Sequence, residues 1–428
     1  MATYLLISAQ GLALNFRHFK IIRTGGLYLK FEPSDAVIKI DGRIYKNKLR
    51  FGDNDIYIKK ILPGNYQILL SKDSYQNWQK ELIVKPGLVT SARQVRLWPQ
   101  NPKTQIIEEK IKDFWLTGRG PIYQNFDELL QFKTNTLRGK KIRFSDSRSN
   151  FIISEDRKNS FLINLETPTT AINIDELFNS LKQRQLALPG IVPIKEFFAH
   201  PFSDSKIVIA TQKAVYILDF KKIELEQLST IDNLVALNLS NAEIFAIDSA
   251  NNLIAANLIL KRNASTSLEI TDINKMTPSR DGIKIFLLKK TGELMMLDRS
   301  LQKLEKLGSD IKDFYLASDG KRIALITEDQ RLKIIYLEDY ELDFKIPAGS
   351  LSEITMPNGT LTDFTWLVSP YNYFIALVDD NLIISELDPR PPQNTHILFS
   401  RVKKYLLDKN QLYILKENNE LIKADLNI

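Results

Sequence analysis

Ile311-Lys-Asp-Phe-Tyr-Leu-Ala-Ser-Asp-Gly-Lys-Arg-Ile-Ala-Leu-Ile326, followed by Arg331-Leu-Lys-Ile-Ile-Tyr-Leu-Glu338, reads as three short strands. Ser318-Asp-Gly-Lys321 is a turn, because Asp and Gly tolerate the dihedrals of a tight hairpin. Ile323, Leu325, Leu332, Ile334 and Tyr336 alternate with their neighbours at period two, the mark of strands with one face in a core. One such unit cannot bury its apolar face alone, but several stacked radially can.

The unit recurs. Ile270-Thr-Asp-Ile273 leads to Ser279-Arg-Asp-Gly282, Leu361-Thr-Asp-Phe364 to Tyr373-Phe-Ile-Ala376, and Ile194-Lys-Glu-Phe197 to Ser205-Lys-Ile-Val208. Weaker copies begin at Ile231, Val402 and Ile111, and the spacing leaves room for a blurred one around residues 141–165. A period near forty residues with four short strands is a propeller blade. The expected fold is therefore all-β, with an eight-bladed propeller over residues 104–428 and seven blades as the alternative. The last unit supplies only three strands before the chain stops. An open edge invites pairing with another chain, so Thr104-Gln-Ile-Ile-Glu-Glu-Lys110 is expected to close the ring.

Leu316-Ala-Ser-Asp-Gly-Lys-Arg-Ile-Ala324 resembles the Ser-Pro-Asp-Gly-Lys-x-Ile-Ala core of TolB-type, WD-like propeller repeats, with Ala317 and Ser318 where that pattern has Ser and Pro. The resemblance implies a fold and no particular chemistry, because propellers host many activities.

Residues 25–98 read as a compact all-β unit, with strands separated by Pro33-Ser-Asp35, Asp41-Gly42, Pro63-Gly64 and Pro86-Gly87. Pro33, Ala36, Ile38, Ile40, Asp41, Gly42, Leu62, Pro63, Gly64, Tyr66, Lys72, Tyr75, Val84 and Gly87 together resemble the pattern of the PEGA domain, a small surface-layer-associated β-sandwich. These are turn and core residues. The resemblance implies a non-catalytic module outside the cytoplasmic membrane, often behind an anchor. Pro99-Gln-Asn-Pro102 makes residues 99–103 a short, semi-rigid linker.

Residues 1–24 form an N-terminal segment. Its apolar stretch is too short to span a bilayer, which takes about 20 apolar residues, and lacks the charged start of a signal peptide. Two readings stand side by side: a strand or helix packed on the first domain, or the end of a membrane anchor upstream of residue 1. Within the propeller, a helix is expected near residues 173–186, capped by Asn173 and closed by Pro189-Gly190, with Ile174, Leu177, Phe178 and Leu181 on its buried face.

The chain has 428 residues, no cysteine and a net charge of +7. Disulfides, thiolate metal sites and cysteine nucleophiles are thereby excluded. Residues 1–100 hold 16 Lys and Arg against 7 Asp and Glu; the remainder holds 42 against 44. The basic character thus belongs to the N-terminal region, where a lysine-rich solvated surface competes with a polyanion-binding one. No aromatic interleaving of the single-strand-binding kind accompanies it, so no nucleic-acid partner is expected.

His18, His200 and His396 are too scattered for a metal motif. No phosphate loop or nucleophile elbow is present. Asp281, Asp319 and Asp379 sit in hairpin turns, where Asp serves the backbone. Neither a cofactor nor a metal is expected. Asp272, Asp313 and Asp363 read as one repeated position at the propeller's channel mouth, and Lys112, Lys195 and Lys312 as another. His200 lies just beyond an inner strand. Asp272, Asp313, Asp363, Lys312, Lys195 and His200 are therefore the candidate ligand-binding residues. The expected function is non-enzymatic: an extracytoplasmic, membrane-anchored envelope protein whose propeller binds a protein or a cell-surface glycan. The alternatives are a propeller enzyme acting on polysaccharide or peptide with carboxylates across the channel, and a polyanion-binding protein.

Overall fold

The structure is a computed structural model and describes residues 12–15, 20–45, 54–341, 343–368 and 372–426. Beyond residue 103 the described residues form eight antiparallel four-stranded sheets. Sheets 1 to 7 cover residues 111–137, 141–173, 194–230, 234–267, 273–308, 311–354 and 361–399, each running in chain order from its first strand to its fourth. Sheet 8 takes Val402–Asp408, Gln411–Lys416 and Leu421–Asp425, and its fourth strand is Thr104–Glu108 from the other end of the propeller region. The expected closure is therefore made, by pairing Thr104 with Ala424 and Ile106 with Ile422.

Eight apolar clusters join each sheet to the next. Ile122, Leu130 and Phe132 meet Ile152, Phe161 and Ile163 between sheets 1 and 2. Corresponding clusters link sheets 2 and 3, 3 and 4, 4 and 5, 5 and 6, 6 and 7, and 7 and 8. Ile111, Phe114 and Leu116 meet Tyr413, Leu415 and Leu421, which brings sheet 8 back to sheet 1. First strands of neighbouring sheets touch one another, as Ile111–Thr117 touches Val402–Asp408 and Leu234–Ser240 touches Ile273–Pro278. They line the axis of a closed ring, and the architecture is a β-propeller.

The helix forms as expected and is named α1 (Ile174–Leu186). The Asn173 side chain accepts from the Glu176 backbone N–H, and Ile174, Phe178 and Leu181 bury into the cluster between sheets 2 and 3. Its end is set by Ala187 in the left-handed region (φ 53°), and the carbonyls of Pro189 and Gly190 instead accept from the buried Lys182 ammonium. Asn173→Ala is expected to cost about 1 kcal/mol through the lost cap, seen as faster amide exchange confined to the first turn of α1.

Before residue 99, one sheet orders Asp55–Ile61, Gly25–Glu32 and Val89–Arg96, and another orders Arg43–Ile44, Val37–Ile40, Gly64–Ser71 and Trp78–Val84. They enclose one core of Leu27, Leu29, Ile38, Ile56, Ile68, Leu70, Trp78 and Leu82. Asp41 and Gly42 both take positive φ (47° and 77°), the hairpin geometry their sequence calls for. Val89–Arg96 pairs parallel to Gly25–Glu32. Leu12–Asn15 pairs with Lys20–Arg23; the rest of the 1–16 segment, on which both readings of the N-terminus bear, lies outside the described residues. No helix among the described residues is long and apolar enough to cross a membrane.

These sheets are bound to the ring by buried polar contacts. Lys80 is fully buried, with its ammonium 2.6 Å from Glu386 Oε1 and donating to the carbonyls of Asp388 (3.0 Å), Arg390 and Pro392 (2.9 Å). Trp78 Nε1 donates to Glu386 Oε2 at 2.9 Å. Asn394 exchanges hydrogen bonds with the Gln79 backbone. Asp343 accepts from Ser91 Oγ and the Arg93 N–H, and Arg390 donates to the Ser91 carbonyl. Trp98, at the expected end of the first unit, buries its ring among Leu367, Tyr373 and Tyr405 of sheets 7 and 8. Lys80 and Arg93 thus face acidic partners on the propeller and leave that much less basic surface for a polyanion.

Candidate functional site: the axial ring of first strands

Seven of the eight first strands share a bulge at one place. Ile111, Ile194, Leu234, Ile273, Ile311, Leu361 and Val402 pair with the second strand, the next residue is skipped, and Asp113, Glu196, Ala236, Lys275, Asp313, Asp363 and Lys404 resume the ladder. In sheet 2 the skipped residue is Arg143. A bulge of this kind turns a side chain away from the regular pleat. Here it creates two rings of equivalent positions at one end of the axis.

Lys112, Lys195 and Lys312 all occupy the skipped position and are exposed, so the sequence grouped them as the structure does. Asp313 and Asp363 share the position after the bulge, but Asp272 does not join them. It precedes its strand with φ 61°, as Asp310 precedes the next with φ 58°, and the counterpart of Asp313 in sheet 5 is Lys275. The strands expected to begin at Ile231 and Ile270 begin instead at Leu234 and Ile273. Each error is three residues, because an apolar residue stands at both places. His200 follows the far end of its strand, about 16 Å along the chain from Lys195 at ~3.3 Å per residue, so the two do not form one site. His200 shapes its own turn, its Nδ1 accepting from the Phe202 N–H, while burial and Lys206 push its pKa down.

The position after the bulge is also where neighbouring sheets are stitched together. Lys275 donates to Asp313 Oδ1 (2.7 Å) and to the Phe314 carbonyl (3.0 Å), lying 4.9 Å from the ring centroids of both Phe314 and Tyr315. Lys404 repeats this arrangement three sheets further round the ring. It donates to Asp113 Oδ1 and the Phe114 carbonyl, both at 2.7 Å, over the rings of Phe114 and Trp115. Other positions on the first strands add to this: Arg143, the skipped residue of sheet 2, donates to the carbonyls of Ile194 and Lys195, and Asn238, two residues beyond Ala236, to that of Met276. The sequence reading missed Lys275, Lys404, Asp113 and Glu196. The pattern apolar-x-charged-aromatic, shared by residues 111–114, 194–197, 311–314 and 402–405, carries most of the signal.

Burial pushes the Asp363 carboxyl above the usual aspartate value, with Asp313 adding to the shift and the Phe364 N–H and Lys404 opposing it. Burial likewise raises Glu196. Burial, Asp313 and Asp363 hold the Tyr315 hydroxyl far above the ordinary tyrosine range. Removing the neighbouring negative charge in Asp313→Asn is expected to lower the Asp363 pKa, read by carboxyl-detected NMR titration; an unchanged or higher value would mean the two carboxylates do not interact. Between sheets 1 and 2 the same end of the ring opens into a cleft of about 620 Å³, lined by Lys112, Asp113, Trp115, Gln124, Lys141 and Glu155 among others. Asp281 and Asp319 stay in their turns, accepting from the Ile283 and Lys321 N–H groups.

No known protein family matches the sequence, and no curated protein does. Similar solved structures include Hsv2 of Kluyveromyces lactis, 11% identical, covering 68% of this chain and 98% of that one with a TM-score of 0.43. Another is the β-propeller domain of Cps50 (Swd1) from Myceliophteria thermophila, 11% identical, covering 65% of this chain and 96% of that one with a TM-score of 0.40. The propeller assignment rests on the closed ring of sheets, and these likenesses carry nothing about what this chain binds.

Proposed function

We propose that the chain is a non-enzymatic binding or scaffold protein, with each of the eight four-stranded sheets one propeller blade and the axial end that carries the bulges its binding face. The observation that carries this reading is the run of charged positions after the bulge from sheet 5 round to sheet 1, tied across two junctions by inter-sheet hydrogen bonds and opening into a 620 Å³ cleft beside Lys112 and Asp113. A rigid β-scaffold presenting polar groups in a concavity is suited to recognition. We read the two sheets before residue 99 as a PEGA-like module at residues 25–98, with the propeller at 104–428, and on that reading place the protein in the cell envelope, outside the cytoplasmic membrane, with a protein or cell-surface glycan as its partner. What supports this is the turn and core pattern Pro33, Ala36, Asp41-Gly42 and Pro63-Gly64.

The test is photo-crosslinking in the native cells from Lys112 and Lys312, with Lys222, exposed in the turn between the third and fourth strands of sheet 3, as control. A discrete adduct from the first two positions and none from the third is expected. Equal labelling from all three would reject the axial end as the binding face. Protease treatment of intact cells tests location separately: degradation of the propeller is expected, and full protection would overturn the envelope reading.

A further inference from the structure

Around the ring from sheet 5 to sheet 8 and on to sheet 1, the position after the bulge reads Lys275, Asp313, Asp363, Lys404, Asp113. Charge alternates except at one junction, where Asp313 and Asp363 follow one another. At the two junctions where a lysine precedes an aspartate, the same receptor is built each time. A carboxylate oxygen, which also accepts the N–H of the following phenylalanine, and that phenylalanine's carbonyl both receive the ammonium. The phenylalanine ring and the aromatic residue after it cover the cation.

Asp363 carries the same apparatus except for the second aromatic residue, Thr365 standing where the filled receptors have Tyr315 and Trp115. Its Oδ1 accepts the Phe364 N–H at 2.8 Å, as Asp113 and Asp313 do with Phe114 and Phe314, and it follows the same bulge. The preceding sheet offers it a carboxylate, Asp313, where the other two receptors are offered a lysine. Tyr315 of that sheet stands beside Phe364, with ring centroids 5.4 Å apart, and supplies an aromatic face to this junction.

We propose that Asp363 is a receptor for a primary ammonium group brought from outside the chain, either a free alkylamine or the lysine side chain of a partner. The proposal deepens the binding reading above and rests on it. An ammonium there would restore the alternation, seated between Asp313 and Asp363 as the chain's own lysines are seated at the neighbouring junctions. Primary ammonium is selected because the two filled receptors use hydrogen bonds to a carboxylate and a carbonyl as well as the aromatic face. A quaternary ammonium could satisfy only the last of these.

The experiment titrates the full chain with n-butylammonium and follows the Phe364 amide by NMR, since that N–H is bonded to the receptor carboxylate. A saturable shift is expected with n-butylammonium, and none with n-butanol or tetramethylammonium. Asp363→Asn is expected to weaken binding at least tenfold, while Asp319→Asn, in a hairpin turn, leaves it unchanged. Equal responses to n-butylammonium and n-butanol, or undiminished binding by a folded Asp363→Asn variant, would overturn the proposal. If that variant does not fold, the comparison of the three small molecules on the wild-type chain still decides. A lysine peptide that binds more tightly than n-butylammonium, and loses binding on Nε-acetylation, assigns the ammonium to a protein partner; a peptide no tighter than n-butylammonium assigns it to a free amine. Failure of n-butylammonium binding alongside a cross-linked partner at Lys112 and Lys312 rejects this inference alone, whereas failure of both rejects the binding face as well.

Discussion

Lys80→Met is expected to weaken the attachment of the N-terminal sheets to the propeller by about 3–5 kcal/mol at neutral pH, the range for breaking one side of a buried ion pair. The ammonium it removes is fully buried and serves one carboxylate and three backbone carbonyls. What remains is Glu386, 3% exposed, still held by Trp78 and Asn394 but without its ammonium partner. Burial already raises the Glu386 pKa, and Lys80 is the main influence pulling it back. In the variant the folded-state value rises further above the unfolded one. Attachment should therefore be strongest below the usual glutamate range, where the carboxyl is protonated in both states. It should weaken as pH rises through the folded-state pKa, because the ionised form is then the one without a partner. Urea unfolding at two pH values, with protease cleavage in residues 99–103 as the local readout, checks both sign and size. Glu386→Gln in the same chain should recover much of the loss at neutral pH. A Lys80→Met protein with wild-type resistance at neutral pH and no acid recovery would show that this network does not hold the parts together.

The second large effect concerns closure. A chain ending at Glu420 is expected to self-associate and to lose most of its cooperative stability. Leu421–Asp425 is the central link of sheet 8, paired with Gln411–Lys416 on one side and Thr104–Glu108 on the other. Leu421, Ile422, Ala424 and Leu426 are all buried there. Burying each Leu or Ile contributes about 1.5–3 kcal/mol, so the truncation removes several kcal/mol from one joint of the ring. It also exposes Gln411–Lys416 as an unpaired edge of buried-type residues, which templates pairing with other chains. Light scattering after size exclusion should show concentration-dependent association and an early, broad melt. A monodisperse monomer with the wild-type melting curve would mean that the ring does not depend on this strand.

The repeat was legible because its determinants are local. Period-two alternation and Asp-Gly turns need only a few consecutive residues, so Ile311–Leu316, Arg322–Thr327 and Leu332–Tyr336 fall where the sequence puts them. The register at the bulge was less so. Ile270 and Ile273 are both apolar and both buried, and nothing in the local pattern says which one begins the strand. That choice moved Asp272 into a position that belongs to Lys275. The attachment of the N-terminal sheets had one overlooked local sign: Lys80 falls in the inward phase of Trp78, Leu82 and Val84, where a lysine needs a partner.

By itself the sequence determined that the chain is all-β, that four-stranded units repeat beyond residue 103, that Thr104–Glu108 closes the last of them, and that Asn173 starts a helix. Each follows from spacing, turn chemistry or the need to cover an edge. Only the tertiary structure decided which charges meet. Lys275 with Asp313, Lys404 with Asp113, and Lys80 with Glu386 pair across sheets, the last two over most of the chain's length. The shared position of Asp313 and Asp363 was legible in the repeat, but that Lys275 and not Asp272 precedes them was decided by the register of the folded sheet. The reason is physical: backbone patterns are set by neighbours in sequence, whereas electrostatic partners are set by neighbours in space.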